Sequence, residues 1–167
     1  MTPAQLVTLK AALLAETDPA FVAARTAFAT GAMVEWLAQP SPVIVWRTRV
    51  AEQEITSQVS AEGTVWSWTT YINRSAAERD GWARMFNGTY TINPSLPQVR
   101  AAFADIFSGA AQLAIDQRTH LAAISKRPAN RGEKIFVTGT GTLASPGLLG
   151  FEGTIGEYDV VVALTQI

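Results

Sequence analysis

Apolar positions recur along this chain at helical spacing, interrupted by two runs that have the composition of strands. Leu6, Leu9, Leu13 and Leu14 make one stripe behind Thr2, Pro3 and Gln5, the order of a capping box with proline at the first helical position. Asp18 and Pro19 open the next helix by the same logic. Its face runs through Phe21, Ala24 and Phe28 towards Met33, Trp36 and Leu37, with Gly31 as the expected point of interruption. Ser75 with Glu78 predicts a helix carrying Arg79, Trp82, Met85 and Phe86 on one face, closed by a left-handed cap at Asn87 and Gly88. Ser95 with Gln98 repeats the box ahead of Val99, Phe103, Ile106 and Phe107. Leu113, Gln117, Leu121 and Ile124 mark the following helix, which has to end before Pro128. Asn130 with Glu133 predicts a short helix through Ile135 and Phe136. Thr154 with Glu157 predicts a terminal one through Tyr158, Val161 and Leu164, although its β-branched VVVAL run is also compatible with a strand.

Pro40 and Pro42 break the helical pattern. The runs VIVWRTRV (43–50) and TVWSWTTYI (64–72) that follow are rich in β-branched and aromatic residues and predict an antiparallel pair. An isolated hairpin is marginal, so this one is expected to lean on the helices or on another subunit. The segment TGTGTLASPGLLG (138–150) has four glycines and a proline and reads as a flexible arm that a partner orders. The expected fold is mostly α, a bundle of about five or six short helices with a small β-hairpin at 43–72 and a flexible C-terminal arm. It is expected to be one domain overall, with a body over 1–137 and the arm and terminal helix over 138–167.

Composition narrows the classes. Hydrophobic residues make up 48% of the 167, enough for a core, whereas charged residues make up only 16%. Soluble domains usually carry about 25%, so part of this surface is expected to be covered by neighbours. A net charge of −1 argues against a strongly basic nucleic-acid binder. The absence of cysteine removes disulfides, thiol catalysis and cysteine metal sites together. With no basic leader and no long apolar run, the expectation is a protein made in the cytoplasm, with no membrane partner.

Candidate chemistry is sparse. His120 is the sole histidine, and a general base needs a nucleophile and an orienting partner that the sequence does not identify, so a structural histidine is the simpler reading. Asp105, Asp116, Glu133, Glu152, Glu157 and Asp159 show no ligand spacing, and no metal or cofactor is expected. TGTGT at 138–142 is followed by Leu143, Ala144, Ser145 and Pro146, which is not a phosphate-binding loop. Trp46, Trp66, Trp68 and Trp82 suit either a ligand or, more commonly, a core. Lys126, Arg127, Arg131 and Lys134, with Arg118 upstream, form a basic segment suited to an acidic partner or a nucleic-acid backbone. For Lys126 and Arg127 a solvated helix end is the plainer alternative. After Lys134 the charged residues are acidic only, and a basic middle facing an acidic tail suggests head-to-tail contacts in a ring.

The residues VWRT (45–48), FNGT (86–89), NPSLPQVR (93–100), FADIFSG (103–109), RTHLAAISKRPANRGEKIFVTGTGT (118–142) and FEG (151–153) together resemble small proteins encoded among the virion structural genes of tailed bacteriophages. Within that group, a helical domain of this size with a flexible C-terminal segment is most similar to head-to-tail adaptors. The resemblance implies a non-enzymatic virion protein, made in the host cytoplasm, that forms a ring, often a dodecamer, beneath the portal protein. It also implies contacts with a neighbouring neck or tail protein and passing contact with DNA in the channel. Partner contacts are then expected at Lys126, Arg127, Arg131, Lys134, Thr138, Gly139, Thr140, Gly141, Thr142 and Phe151. The strand pair and the tryptophans have no counterpart in the adaptor bundle, which keeps a tail terminator or other minor head or tail component as the alternative. A reading of a different class is a small ligand-binding domain or hydrolase using His120, Asp116 and the tryptophans.

Overall fold

The computed structural model describes residues 1–86 and 88–167. In chain order the elements are α1 (Pro3–Ala15), α2 (Pro19–Thr26), α3 (Thr30–Ala38), β1 (Pro40–Trp46), β2 (Val50–Ala51), α4 (Glu52–Ser57), α5 (Trp68–Ile72), α6 (Ala76–Met85), β3 (Thr91–Ile92), α7 (Pro97–Ile106), α8 (Gln112–Ile124), β4 (Lys126–Asn130), α9 (Arg131–Lys134), β5 (Val137–Thr138), β6 (Leu148–Leu149) and α10 (Glu157–Thr165). The fold is therefore mostly α with small strand pairs, built from ten helices among the described residues and not from five or six. The strands pair in twos: β1 with β4, β2 with β3 and β5 with β6, the last two pairs antiparallel.

The chain divides into two compact units, at Val45/Trp46 and Arg127/Pro128. The first unit comprises 1–45 and 128–167. Its core is Leu9 and Leu13 of α1, Phe21 of α2, Met33 and Leu37 of α3, then Phe136, Ile155, Val160 and Ala163. Thr2 and Gln5 form the reciprocal cap on α1, and Asp18 Oδ1 accepts from the Ala20 and Phe21 amides to start α2. The helical stretch breaks at Phe28, whose φ of 53° is left-handed, while Gly31 lies inside α3. VVVAL is helical, but α10 is capped by Asp159 accepting from the Gly156 amide, not by the Thr154 and Glu157 box. Helix α10 lies against α1 and α3.

The expected flexible arm is a packed hairpin. Val137 pairs with Leu149 and Thr138 with Leu148, while Gly141 O accepts from the Ile44 amide and the Gly147 amide donates to Ile44 O. Glycine here serves close approach. A Cβ on Gly147 would lie 2.3 Å from Val137 Cγ1, and one on Gly141, at φ +66°, would lie 2.6 Å from Val43 Cγ1. The composition that suggested mobility is what lets three backbone segments touch.

The second unit comprises 46–127, with a core of Val50, Ile55, Trp66, Trp82, Phe86, Ile92, Phe103, Ile106, Phe107, Leu121 and Ile124. The hairpin expected between 43–50 and 64–72 does not form. β1 takes β4 as partner, and Trp68–Ile72 is helical because the Ser67 side chain accepts from the Thr70 amide and caps it. Ser75 and Glu78 make the expected box on α6, and Gly88 is left-handed at φ 85°, while Asn87 lies outside the described residues. Ser95 does not cap α7. Its amide and hydroxyl both donate to Asn93 Oδ1, and the cap position falls to Leu96 ahead of Pro97.

Three outcomes test this account. Gly147→Ala should cost about 1–3 kcal/mol by overpacking, whereas Gly31→Ala, whose Cβ would meet nothing nearer than 3.8 Å, should be neutral or stabilise by up to roughly 1 kcal/mol; urea denaturation compares them. His120 is fully buried, with Nε2 2.7 Å from Ile55 O. His120→Ala should therefore cost about 2–4 kcal/mol through the cavity and the orphaned carbonyl. Glu78 is held down from its ordinary 4.5 to about 2, first by the Ser75 hydroxyl and amide, then by Arg74 and Ser108. A carboxylate with a depressed folded pKa stabilises fully above its unfolded value and loses that contribution as pH falls through the folded one. Stability measured from neutral pH downward should thus show an excess of wild type over Glu78→Gln that shrinks between pH 4.5 and about 2.

Candidate functional site

A cleft of about 660 Å³ opens in the first unit, within the roughly 300–1,000 Å³ range of ligand sites. Its walls come from the end of α1 (Ala12, Leu13, Glu16, Thr17), the start of α2 (Asp18, Pro19, Phe21), Trp36 and Leu37 of α3, Pro40 to Pro42 of β1, and Arg131, Lys134 and Ile135. Local sequence rules place each of these. The Asp18 cap and Pro19 fix the turn between α1 and α2, the two prolines end α3, and the Asn130–Glu133 box starts α9 so that Arg131 and Lys134 face the opening. The Phe21 and Trp36 rings meet at 4.7 Å, and the Arg131 guanidinium lies over the Trp36 ring, 4.3 Å from its centroid. Thr17, Pro19, Pro40, Pro42 and Lys134 are exposed, so the rim is open to solvent.

Charge in the cleft is balanced in number but not in hydrogen bonding. Glu16 Oε1 accepts from the Thr17 and Asp18 amides at 2.8 and 2.9 Å, and Asp18 Oδ1 accepts from Ala20 and Phe21 at 3.0 and 3.2 Å. The Phe21 amide foremost, with help from Trp36, Ala20 and the Arg131 charge, holds the Asp18 carboxyl below its ordinary range. The cations are held differently. Arg131 lies over the Trp36 ring, Lys134 stands exposed at the rim, and Trp36 Nε1 is buried beside the Asp18 carboxylate, whose charged form it favours. The cleft therefore carries two carboxylates and two cations around a floor of buried Leu13 and Phe21.

Of the residues expected to meet a partner, Arg131 and Lys134 come together here. Lys126 and Arg127 belong to the other unit, where Lys126 lies 5.6 Å over the Trp46 ring and Arg100 lies 4.6 Å from it. The remainder are spent on the fold. Thr138 is paired in β5, Gly139 and Gly141 supply positive φ, Thr140 Oγ1 donates to Ser145 O, Thr142 bonds Ser145 twice, and Phe151 packs on Phe136 at 5.5 Å. The acidic tail is likewise engaged: Glu157 accepts from Thr30 Oγ1, and Asp159 caps α10 and pairs with the amino terminus at 3.5 Å.

His120 and Asp116 are not brought together. His120 Nε2 lies 2.7 Å from Ile55 O, and Nδ1 lies 3.1 Å from Thr64 O and 3.3 Å from Thr64 Oγ1, so both ring nitrogens are taken up by backbone and side-chain oxygens of the 55–64 stretch. Asp116 accepts from Gln112. Trp66 and Trp82 are core, stacked at 4.7 Å, while Trp68 is 55% exposed. Among the described residues no cluster of three or more His, Asp or Glu side chains is placed to hold a metal, and no helix is long and apolar enough to cross a membrane.

The sequence reading missed Asp18, Phe21 and Trp36 as site residues. Asp18 showed as a helix cap and the aromatics as core; their meeting with Arg131 is a tertiary fact with no local signal. No family model matches the chain, and comparison with curated proteins and with solved structures yields no match.

Proposed function

We propose that this chain is a non-enzymatic structural protein of a tailed-phage virion, a ring-forming adaptor of the head-to-tail neck that binds the portal and a neighbouring neck or tail protein. The observation that carries the reading is the pairing of exposed apolar side chains at helical spacing. Val7 and Leu14 share the outer side of α1 at 54% and 55% exposure, and Trp68 and Ile72 stand one turn apart on α5 at 55% and 58%. On a chain with few charges, such faces suit burial by neighbours. The phage resemblance supplies the kind of neighbour. Docking in this reading uses rigid surfaces and the cleft, because the glycine-threonine segment is committed to the fold. A small ligand-binding domain is the second reading, favoured by the cleft volume.

The test is the solution mass of the purified protein, alone and mixed with the portal protein of the same genome. A ring, or a complex on mixing, is expected. Trp68→Ser combined with Ile72→Ser should reduce assembly at least about tenfold, since each buried aromatic or aliphatic side chain contributes on the order of 1–3 kcal/mol, with thermal stability little changed. A monomer that ignores the portal would remove the neck reading and leave the ligand-binding one.

A further inference from the structure

We infer that the outer face of α5, with the first turn of α8, is a two-fold contact for a second copy of this chain. The face lies wholly within the second unit. Gln117 binds the Ser67 amide at 2.9 Å and Val65 O at 3.2 Å, and Arg74 donates to Ile106 O at 2.9 Å, so residues 64–74 run antiparallel to α8 and past its start. Leu113, one turn before Gln117, therefore stands beside Trp68. Val65, Trp68, Ile72 and Leu113 are each between 55% and 62% exposed. Together they offer on the order of 400 Å² of apolar surface per copy, about half of what each partner buries in a standard interface and the size of its apolar centre. The Trp68 ring is braced by Trp66 at 5.6 Å and Tyr71 at 5.7 Å, both edge-on, so docking orders it no further.

The charges at the two ends of the face indicate what covers it. At the Val65 end stand Asp116 and, in the preceding turn, Glu62. At the Ile72 end stands Arg79, whose guanidinium donates to Ile72 O and Arg74 O at 2.6 and 3.0 Å, next to Arg74 and Glu78, which neutralise each other. Among the described residues Asp116, Glu62 and Arg79 are in no salt bridge. A two-fold axis through the middle of the face turns each end onto the other and sets Arg79 of either copy against the acidic end of its mate. An apolar face with opposite charges at its ends is complementary to itself. The contact goes beyond the neck reading and does not depend on it, since a ring closes through heterologous contacts elsewhere.

The experiment is sedimentation equilibrium of the full-length protein from about 1 to 300 μM, which reads a monomer–dimer Kd. Leu113→Asp, at an exposed position that leaves the fold intact, should raise that Kd at least about tenfold. Asp116→Lys combined with Glu62→Lys should raise it about tenfold at low salt and reverse its salt dependence: added salt weakens the wild-type dimer, whose ends attract, and strengthens the variant's, whose ends repel. Thermal melting shows that both variants are folded. A wild type that stays monomeric throughout, or a dimer indifferent to Leu113→Asp, overturns the contact. A salt dependence that keeps its sign in the double variant overturns the two-fold pairing of the ends. Mixing with the portal separates this from the neck reading: a dimer that ignores the portal sinks only the neck assignment, and a ring whose mass is unmoved by Leu113→Asp, with no dimer on dilution, sinks only the two-fold contact.

Discussion

The buried carboxylate of Glu133 determines where the cleft's cations stand. It is 2% exposed, and its two oxygens serve two distant stretches of chain: Oε2 accepts from the Asn130 amide at 3.0 Å and Oε1 from the Gly153 amide at 3.1 Å. Asn130 answers with its own side chain, accepting from the Glu133 amide at 2.6 Å and donating to Gly153 O at 3.3 Å. A helix of four residues has no stability of its own, because nucleation fixes more dihedral angles than one turn of hydrogen bonds repays. α9 therefore exists because this clip exists. Gly132 tightens it, since a Cβ there would lie 2.8 Å from Ile155 Cδ1. Arg131 and Lys134 flank the clipped residues on both sides, so the direction in which they project follows from the same bonds.

The second unit uses the same device on a larger scale. Gln117, also 2% exposed, accepts from the Ser67 amide at 2.9 Å and donates to Val65 O at 3.2 Å, while His120 on the next turn of α8 takes up Ile55 O and the Thr64 hydroxyl. Two buried polar side chains on one helix thus satisfy the backbone of a stretch that belongs to no ladder. That leaves Trp66 held between extended flanks with its ring against Trp82 and Phe107, at 4.7 and 5.6 Å. Had 64–72 paired as a strand, those backbone groups would have gone to a neighbouring strand and Gln117 and His120 would have been buried without partners. Their polarity and the irregularity of the stretch explain each other.

What could be read in the sequence was what is written locally. The boxes at Thr2, Ser75 and Asn130 and the Asp18 cap are contained within four residues each, and all four form as expected. Where two local signals competed, the reading failed. Asn93 outbids the α7 amides for Ser95, and the Ser67 cap overrides the β-propensity of the residues after it. Partner choice was illegible throughout: nothing in VIVWRTRV says that its mate is residues 126–130, and nothing in Trp36 points to Arg131. Half of the cleft was in hand as a basic segment, and the other half was hidden among core aromatics.

Glycine-threonine composition was the most misleading signal, and its failure bears on function. Glycine is favoured both where a chain must stay mobile and where backbones must touch, and composition cannot separate the two uses. Here Gly147 and Gly141 lie where side chains would collide with Val137 and Val43, and the segment's carbonyls and amides are spent on Ile44. An arm that grips a neighbour has to leave its own subunit, breaking those contacts first, so a docking mechanism built on it starts with a deficit. Surfaces that are already formed carry no such cost. Val7 and Leu14 on α1 and Trp68 and Ile72 on α5 are such surfaces, apolar side chains held exposed at helical spacing by elements already folded.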